Sequence, residues 1–244
     1  MKGFLATYIR ELLILRKRFF KLIISLSINP LLYILAFGIA LGKNININGR
    51  NYLEFLIPGL IAATSMLQAF NINVELNINR FYLKIFEEFQ ASPVSSFGYV
   101  LGEIFGGITK AFLSIFIILI IAFASGVKPH LNFIFFFVIF LNAFIFSSLG
   151  IASAMFIKSH ADQTLVTNFI ITPMMFLGGT FFPVENLPHP LQLIIKILPL
   201  TIVSETLRSI ALYQKYKLYN LFILLILSII SLLIAVYSVK NARD

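Results

Sequence analysis

An all-α integral membrane fold is predicted by three features of the sequence. Of its 244 residues 59% are hydrophobic and 12% charged, too few polar groups to cover a water-facing surface. Apolar runs of roughly the 20 residues needed to cross a hydrocarbon core recur along the chain. The 19 basic residues are unevenly placed, six of them (Lys2, Arg10, Arg16, Lys17, Arg18 and Lys21) ahead of the first such run. The loops are too short to hold a soluble unit, so residues 1–244 read as a single transmembrane domain.

At a helical period Phe4, Leu5, Tyr8, Ile9, Leu12, Leu13, Leu15, Phe19 and Phe20 share one face, and Thr7, Arg10, Glu11, Lys17 and Arg18 the other. This predicts an amphipathic helix in the membrane interface with its basic side toward lipid phosphates, or a plain retention anchor. The net charge of +9 is read as membrane anchoring, and nucleic-acid binding is not expected.

Five runs, 22–41, 55–74, 133–157, 165–182 and 218–239, are uninterrupted; a sixth, 100–125, carries Glu103 and Lys110 and has its clean core at 111–124. Six spans put both termini on one side, and the N-terminal cations assign that side to the cytoplasm. On this topology eleven Lys and Arg face the cytoplasm and seven face outward, the excess coming from the N-terminus. Residues 43–51 form a polar outer loop with a turn at Asn48-Gly49. Pro30, Pro58 and Pro173 can kink their spans. Gly98, Gly102 and Gly106 leave a flat stripe for a closely packed helix, a device repeated by Gly38 and Gly42.

The longest inner loop contains RFYLKIFEEFQ, residues 80–90. Phe81, Tyr82, Ile85, Phe86 and Phe89 fall on one helical face and Arg80, Lys84, Glu87 and Glu88 on the other, with Ser92-Pro93 ending the helix. Such a helix either docks a soluble partner through its charged side or rests on the bilayer with solvated charges. On the outer side, FLGGTFFPVENLPHPLQLIIKILPLT (176–201) stays apolar through four prolines. Pieces so short and apolar fit helices that dip back into the outer leaflet, as a cap over a pathway or as a structural lid.

No chemistry converges. Cysteine is absent, and His130, His160 and His189 lie in separate loops on two sides of the predicted topology. There is no HExxH, no G-x-S-x-G and no phosphate-binding G-x-x-x-x-G-K-[ST] motif, so no catalytic residue, metal site or cofactor is expected in this chain. Glu54 and Glu75 fall near predicted interfaces and read as solvated. Glu103 and Lys110, two turns apart on one helix, read either as a structural polar pair or as functional groups within the membrane.

The run F-L-G-G-T-F-F-P-V-E-N-L-P followed by P-L-Q, L-P-L-T and E-T-L-R (Phe176 to Arg208) resembles the signature region of the ABC-2 type permeases. E-E-F-Q-A-S-P-V-S (Glu87 to Ser95) resembles the same family at the matching inner loop. The resemblance implies a permease subunit of an ATP-binding-cassette exporter of amphiphilic, drug-like or lipid- or glycan-linked substrates. It would sit multi-pass in the cytoplasmic membrane and pair with a second permease subunit, identical or not, and with a separate ATP-binding subunit carrying ATP and magnesium. The first helix would then be the interface helix and 80–90 the coupling helix, with Arg80, Lys84, Glu87 and Glu88 docking the ATPase. Phe181, Phe182, Pro183, Glu185, Leu187 and Pro188 would belong to re-entrant outer helices. The alternative from the residues alone is an autonomous ion-coupled carrier or channel using Glu103 and Lys110; a non-transporting scaffold is a third.

Overall fold

A computed structural model describes residues 2–42, 45–47 and 49–242, the side chains of Lys2, Ile39 and Leu41 excepted. Lys43, Asn48 and Arg243 fall outside the described residues, so of the expected Asn48-Gly49 turn only Gly49 is seen, at φ +77°. The chain is almost entirely helical: α1 (Lys2–Lys17), α2 (Phe19–Tyr33), α3 (Tyr52–Phe70), α4 (Ile72–Asn77), α5 (Ile85–Ala91), α6 (Ser96–Ala124), α7 (Phe133–Phe156), α8 (His160–Val166), α9 (Thr172–Leu177), α10 (His189–Ile195), α11 (Pro199–Tyr213) and α12 (Leu218–Asn241). A small antiparallel hairpin, β1 (Asn46–Ile47) with β2 (Arg50–Asn51), was not expected.

Among the described residues five helices are long and apolar enough to cross a membrane: Phe19–Gly38, Tyr52–Tyr82, Ser96–Ala124, Phe133–Phe156 and Leu218–Asn241. The run predicted at 165–182 is instead α8 and α9 joined by a wide π-helical turn at Thr167–Ile171, ending at Leu177. Pro173 lies just beyond that turn and lacks the N–H a regular helix would use there. A second π-helical stretch, Ile34–Leu41, follows Pro30 in the first span.

The helix α3 is the centre, packed between α6 and α7 and covered by α11, while α12 lies along α7. Leu56, Ile57, Ile61 and Met66 of α3 are fully enclosed with Ile104, Phe135 and Phe146. The helices α2 and α12 expose broad apolar faces, including Phe20, Ile24, Phe222 and Leu233. In lipid such faces are at no disadvantage, so packing rests on shape and polar contacts rather than on escape from solvent. Asn142 supplies one such contact, donating from Nδ2 to Ala62 O (3.0 Å) and Ser65 Oγ (2.6 Å) on α3.

The two ends of the described chain meet at one end of the bundle. Gly3 lies against Val94, and Gln90 Nε2 donates to Ala242 O at 2.9 Å.

Candidate functional site

The glycine stripe of α6 is the seat of α1. Gly98 faces the backbone of Gly3 and Phe4, Gly102 faces Thr7, and Gly106 faces Glu11, so the two helices ascend side by side in the same direction. A Cβ on Gly102 would stand 2.5 Å from Thr7 Cβ, which is why only hydrogen fits there. This corrects the predicted orientation of α1. Thr7, Arg10 and Glu11, expected to look toward phosphates, turn into the bundle, whereas Leu5, Ile9 and Leu13 are exposed.

With α1 so placed, five ionisable side chains from three helices come together. Arg10 Nη2 donates to Glu11 Oε1 and to Glu103 Oε1, both at 2.8 Å. Lys110 Nζ donates to Glu75 of α4 and lies 3.4 Å from Glu11 Oε2. Glu103 is 1% exposed and Glu11 2%, while the side chain of Glu75 remains 47% exposed beside a cavity of about 330 Å³ that also touches Arg18 and Lys110. The predicted Glu103–Lys110 pair therefore does not form. Seven residues of helix separate their Cα atoms by about 10 Å along the axis; Glu103 takes its partner from α1 and Lys110 its partners from α1 and α4 instead. Glu103 and Lys110, the two groups of the ion-coupled carrier reading, thus belong to one polar cluster without touching each other.

The cluster continues into α5. The guanidinium of Arg10 lies 4.8 Å from the ring centroid of Phe89, and Phe89 and Phe86 pack on Tyr99 at 4.8 and 5.8 Å. Lys84 adopts the left-handed conformation (φ 55°), which ends the long second-span helix and restarts the chain as α5. The side chains of Lys84 and Glu87 are 72% and 52% exposed and 3.8 Å apart, and Glu88 is exposed beside them. Arg80 is a correction: it belongs to the π-helical end of the second span, is 3% exposed, and donates from Nη1 to Met155 O at 2.8 Å. Its guanidinium also covers the rings of Phe81 and Phe86. Arg80 thus fixes the base of α5 and is not on its charged outer face.

At the opposite end, the start of α3 meets the proline-rich segment. Gly179 (φ +76°) turns the chain after α9, Val184–Asn186 form a single 3₁₀ turn, and α10 and α11 follow. Phe181 is buried against Phe37, Phe176 and Tyr33, at 4.7, 5.1 and 5.4 Å. Its carbonyl accepts from Tyr52 Oη at 2.6 Å. Ser204 Oγ donates to Gly178 O (2.7 Å), and Arg208 donates to Gly179 O (2.6 Å) and Phe55 O (3.2 Å) while covering the Phe55 ring. Phe182, Pro183 and Leu187 are half-buried, and Glu185 and Pro188 are exposed. The later part of the 176–201 stretch is split between α10 and the start of α11, a helix that hydropathy alone does not pick out.

Sequence reasoning placed neither Arg10 nor Glu11 in the interior and overlooked Arg208. A signal existed for each: Glu11 is a carboxylate among N-terminal cations, and Arg208, with Glu205 one turn before it, is a charge set among Leu207, Ile210 and Ala211. Among the described residues no group of three or more His, Cys, Asp and Glu could hold a metal.

The model of a family described as ABC-2 type transporter matches residues 3–212. Over 177 residues the chain is 27% identical to the inner membrane transport permease YadH of Escherichia coli (strain K12), covering 70% of this chain and 69% of that protein. Nodulation protein J of Rhizobium meliloti (strain 1021) is 29% identical over 187 residues, 75% of this chain and 71% of that one. Nodulation protein J of Rhizobium leguminosarum bv. viciae is 28% identical over 215 residues, 87% and 83% of the two chains.

Proposed function

The chain belongs to the ABC-2 type transporter family, and from that premise we propose that it is the membrane subunit of an ATP-binding-cassette exporter. It moves an amphiphilic, drug-like or lipid- or glycan-linked substrate outward, and a separate ATP-binding subunit with its ATP and magnesium supplies the energy. A second permease subunit, of this chain or a relative, completes the pathway.

The observation that carries this reading is the continuity from α5 to the bundle. In it α5 is the coupling helix, and Lys84, Glu87 and Glu88 are the groups that meet the ATPase; buried Arg80 is not one of them. A push on α5 reaches Tyr99 and Glu103 of α6 through Phe89 and Arg10. Being close-packed and hydrogen-bonded, these groups transmit displacement rather than absorb it. The segment around Phe181, Phe182, Pro183, Glu185, Leu187 and Pro188 closes the outer end.

Six crossings are supported by the meeting of both described ends beside α5, since only an even number returns the chain to its starting side. Counting α8–α9 as one crossing supplies the sixth. The cations ahead of α2 favour the cytoplasm for that side.

The test is co-purification. In mild detergent the chain is expected to bring down a P-loop ATPase, and Glu87→Lys with Glu88→Lys is expected to lower its recovery at least about tenfold while leaving membrane insertion intact. Unchanged recovery in the double variant would remove α5 from the docking role. A chain that purifies alone in every mild detergent would remove the exporter reading.

A further inference from the structure

A cavity of about 510 Å³ opens where α1 gives way to α2, against Thr109 and Leu113 of α6. The α-helical hydrogen bonding is interrupted at Arg18, whose φ and ψ are −113° and 13°. On one unbroken helix residues 16, 17 and 18 would point about 100° apart in turn. The break instead brings Arg16, Lys17, Arg18 and Lys21 around one opening. All four are exposed, and no carboxylate lines the cavity. Arg10, Arg50, Lys84 and Lys110 all have carboxylate partners, whereas Arg16, Lys17, Arg18 and Lys21 make no ion pair among the described residues.

Height along α6 gives the opening its meaning. Lys110 is the last charged residue of that helix, and 111–124 is the uninterrupted apolar run. The cavity touches α6 at Thr109 and Leu113, across that boundary, with Leu15 and Phe20 as further apolar walls. Cations therefore ring the level where a headgroup region meets hydrocarbon, and the walls beside them are apolar. A small inorganic anion would leave those walls uncovered, and an uncharged lipid would leave four cations unmatched.

We infer that this elbow binds one anionic phospholipid, its phosphate among Arg16, Lys17, Arg18 and Lys21 and the root of its acyl chains against Leu15, Phe20 and Leu113. The site is independent of ATPase docking. It lies on α1, the helix that seats on the glycine stripe of α6, so an occupied site would hold the α1–α2 elbow in the geometry the ionic cluster requires.

Native mass spectrometry of the full chain, released from detergent with phosphatidylglycerol or phosphatidylcholine added, tests this. One retained phosphatidylglycerol per chain is expected, favoured over phosphatidylcholine by at least about tenfold, given the attraction of each basic side chain for an anionic headgroup. Replacing Arg16, Lys17, Arg18 and Lys21 together by Gln is expected to abolish the preference. Replacing the exposed Lys128, Lys196, Lys215 and Lys217 by Gln, the same change in charge, is expected to keep it. Should the first quadruple variant not fold, Arg18→Gln with Lys21→Gln is expected to lose a large part of the preference. Equal retention of the two lipids, equal loss in both quadruple variants, or complete displacement by inorganic phosphate would each overturn the assignment.

Discussion

At the α5 end, Arg10, Glu11, Glu75, Glu103 and Lys110 bring formal charges from three helices to one place. At the far end a single guanidinium, Arg208, and two hydroxyls, Tyr52 and Ser204, hold backbone carbonyls of the segment 178–181 and of α3. The two solutions fail differently. Removing one member of a buried ion pair strands the other as an unpaired charge, so the cluster tolerates only matched changes. A carbonyl that loses one donor keeps its backbone setting and gives up a more modest amount. The first region is therefore a specific lock between α1, α4 and α6, and the second a set of separable ties.

The largest effect expected to expose this contrast is at Arg10. Arg10→Gln leaves Glu103 buried without its cation and should destabilise the protein by about 3–5 kcal/mol, read as a fall in melting temperature in detergent. Adding Glu103→Gln should recover most of the loss. If the double variant is as unstable as the sum of the singles, the cluster is not a lock.

A smaller effect is expected from the seat of α1. Gly102→Leu overfills the contact with Thr7 and should cost about 1–3 kcal/mol. Because the chain has no cysteine, Gly3→Cys with Val94→Cys gives a clean reporter. A Cβ on Gly3 would lie 3.4 Å from Val94 Cβ, close to the spacing a disulfide requires. Oxidation should cross-link that pair readily, and Gly102→Leu should slow it; unchanged cross-linking would show that α1 does not depend on the stripe.

The smallest effect is expected at the far end. Tyr52→Phe removes one hydrogen bond to the Phe181 carbonyl and should cost about 1 kcal/mol, with no compensation from any change in the ionic cluster. A loss as large as that of Arg10→Gln would mean that the far end is as tightly coupled as the near one.

Much of the fold could be read from the chain because lipid rewards long apolar runs, and α2, α3, α6, α7 and α12 all begin or end near where such runs do. The special character of the 176–201 segment was also legible, since glycine pairs and repeated prolines leave few backbone options. Three things were hidden for physical reasons. The helix α11 mixes Ser204, Glu205, Thr206 and Arg208 with Leu200, Val203, Leu207 and Ile210; mean hydropathy misses it, although those apolar residues recur at helical spacing and all four are buried. The charge reading of 80–90 assumed one unbroken helical phase, and the left-handed Lys84 resets that phase, leaving Arg80 inside and Glu87 and Glu88 outside. The partners of Glu103 and Lys110 were beyond local reach, because they sit on α1 and α4.

The seating of α1 on α6 also sets an order of events during synthesis. Arg10 and Glu103 are 93 residues apart in the chain, so the first helix emerges long before its seat exists. At 5–20 residues per second that interval is roughly 5–20 s. Through it Thr7, Arg10 and Glu11 have only water, headgroups or an insertion factor for company, and α6 must then arrive carrying Glu103 and Lys110. The third crossing, rather than the first, is thus the step at which the newborn chain commits to its final arrangement.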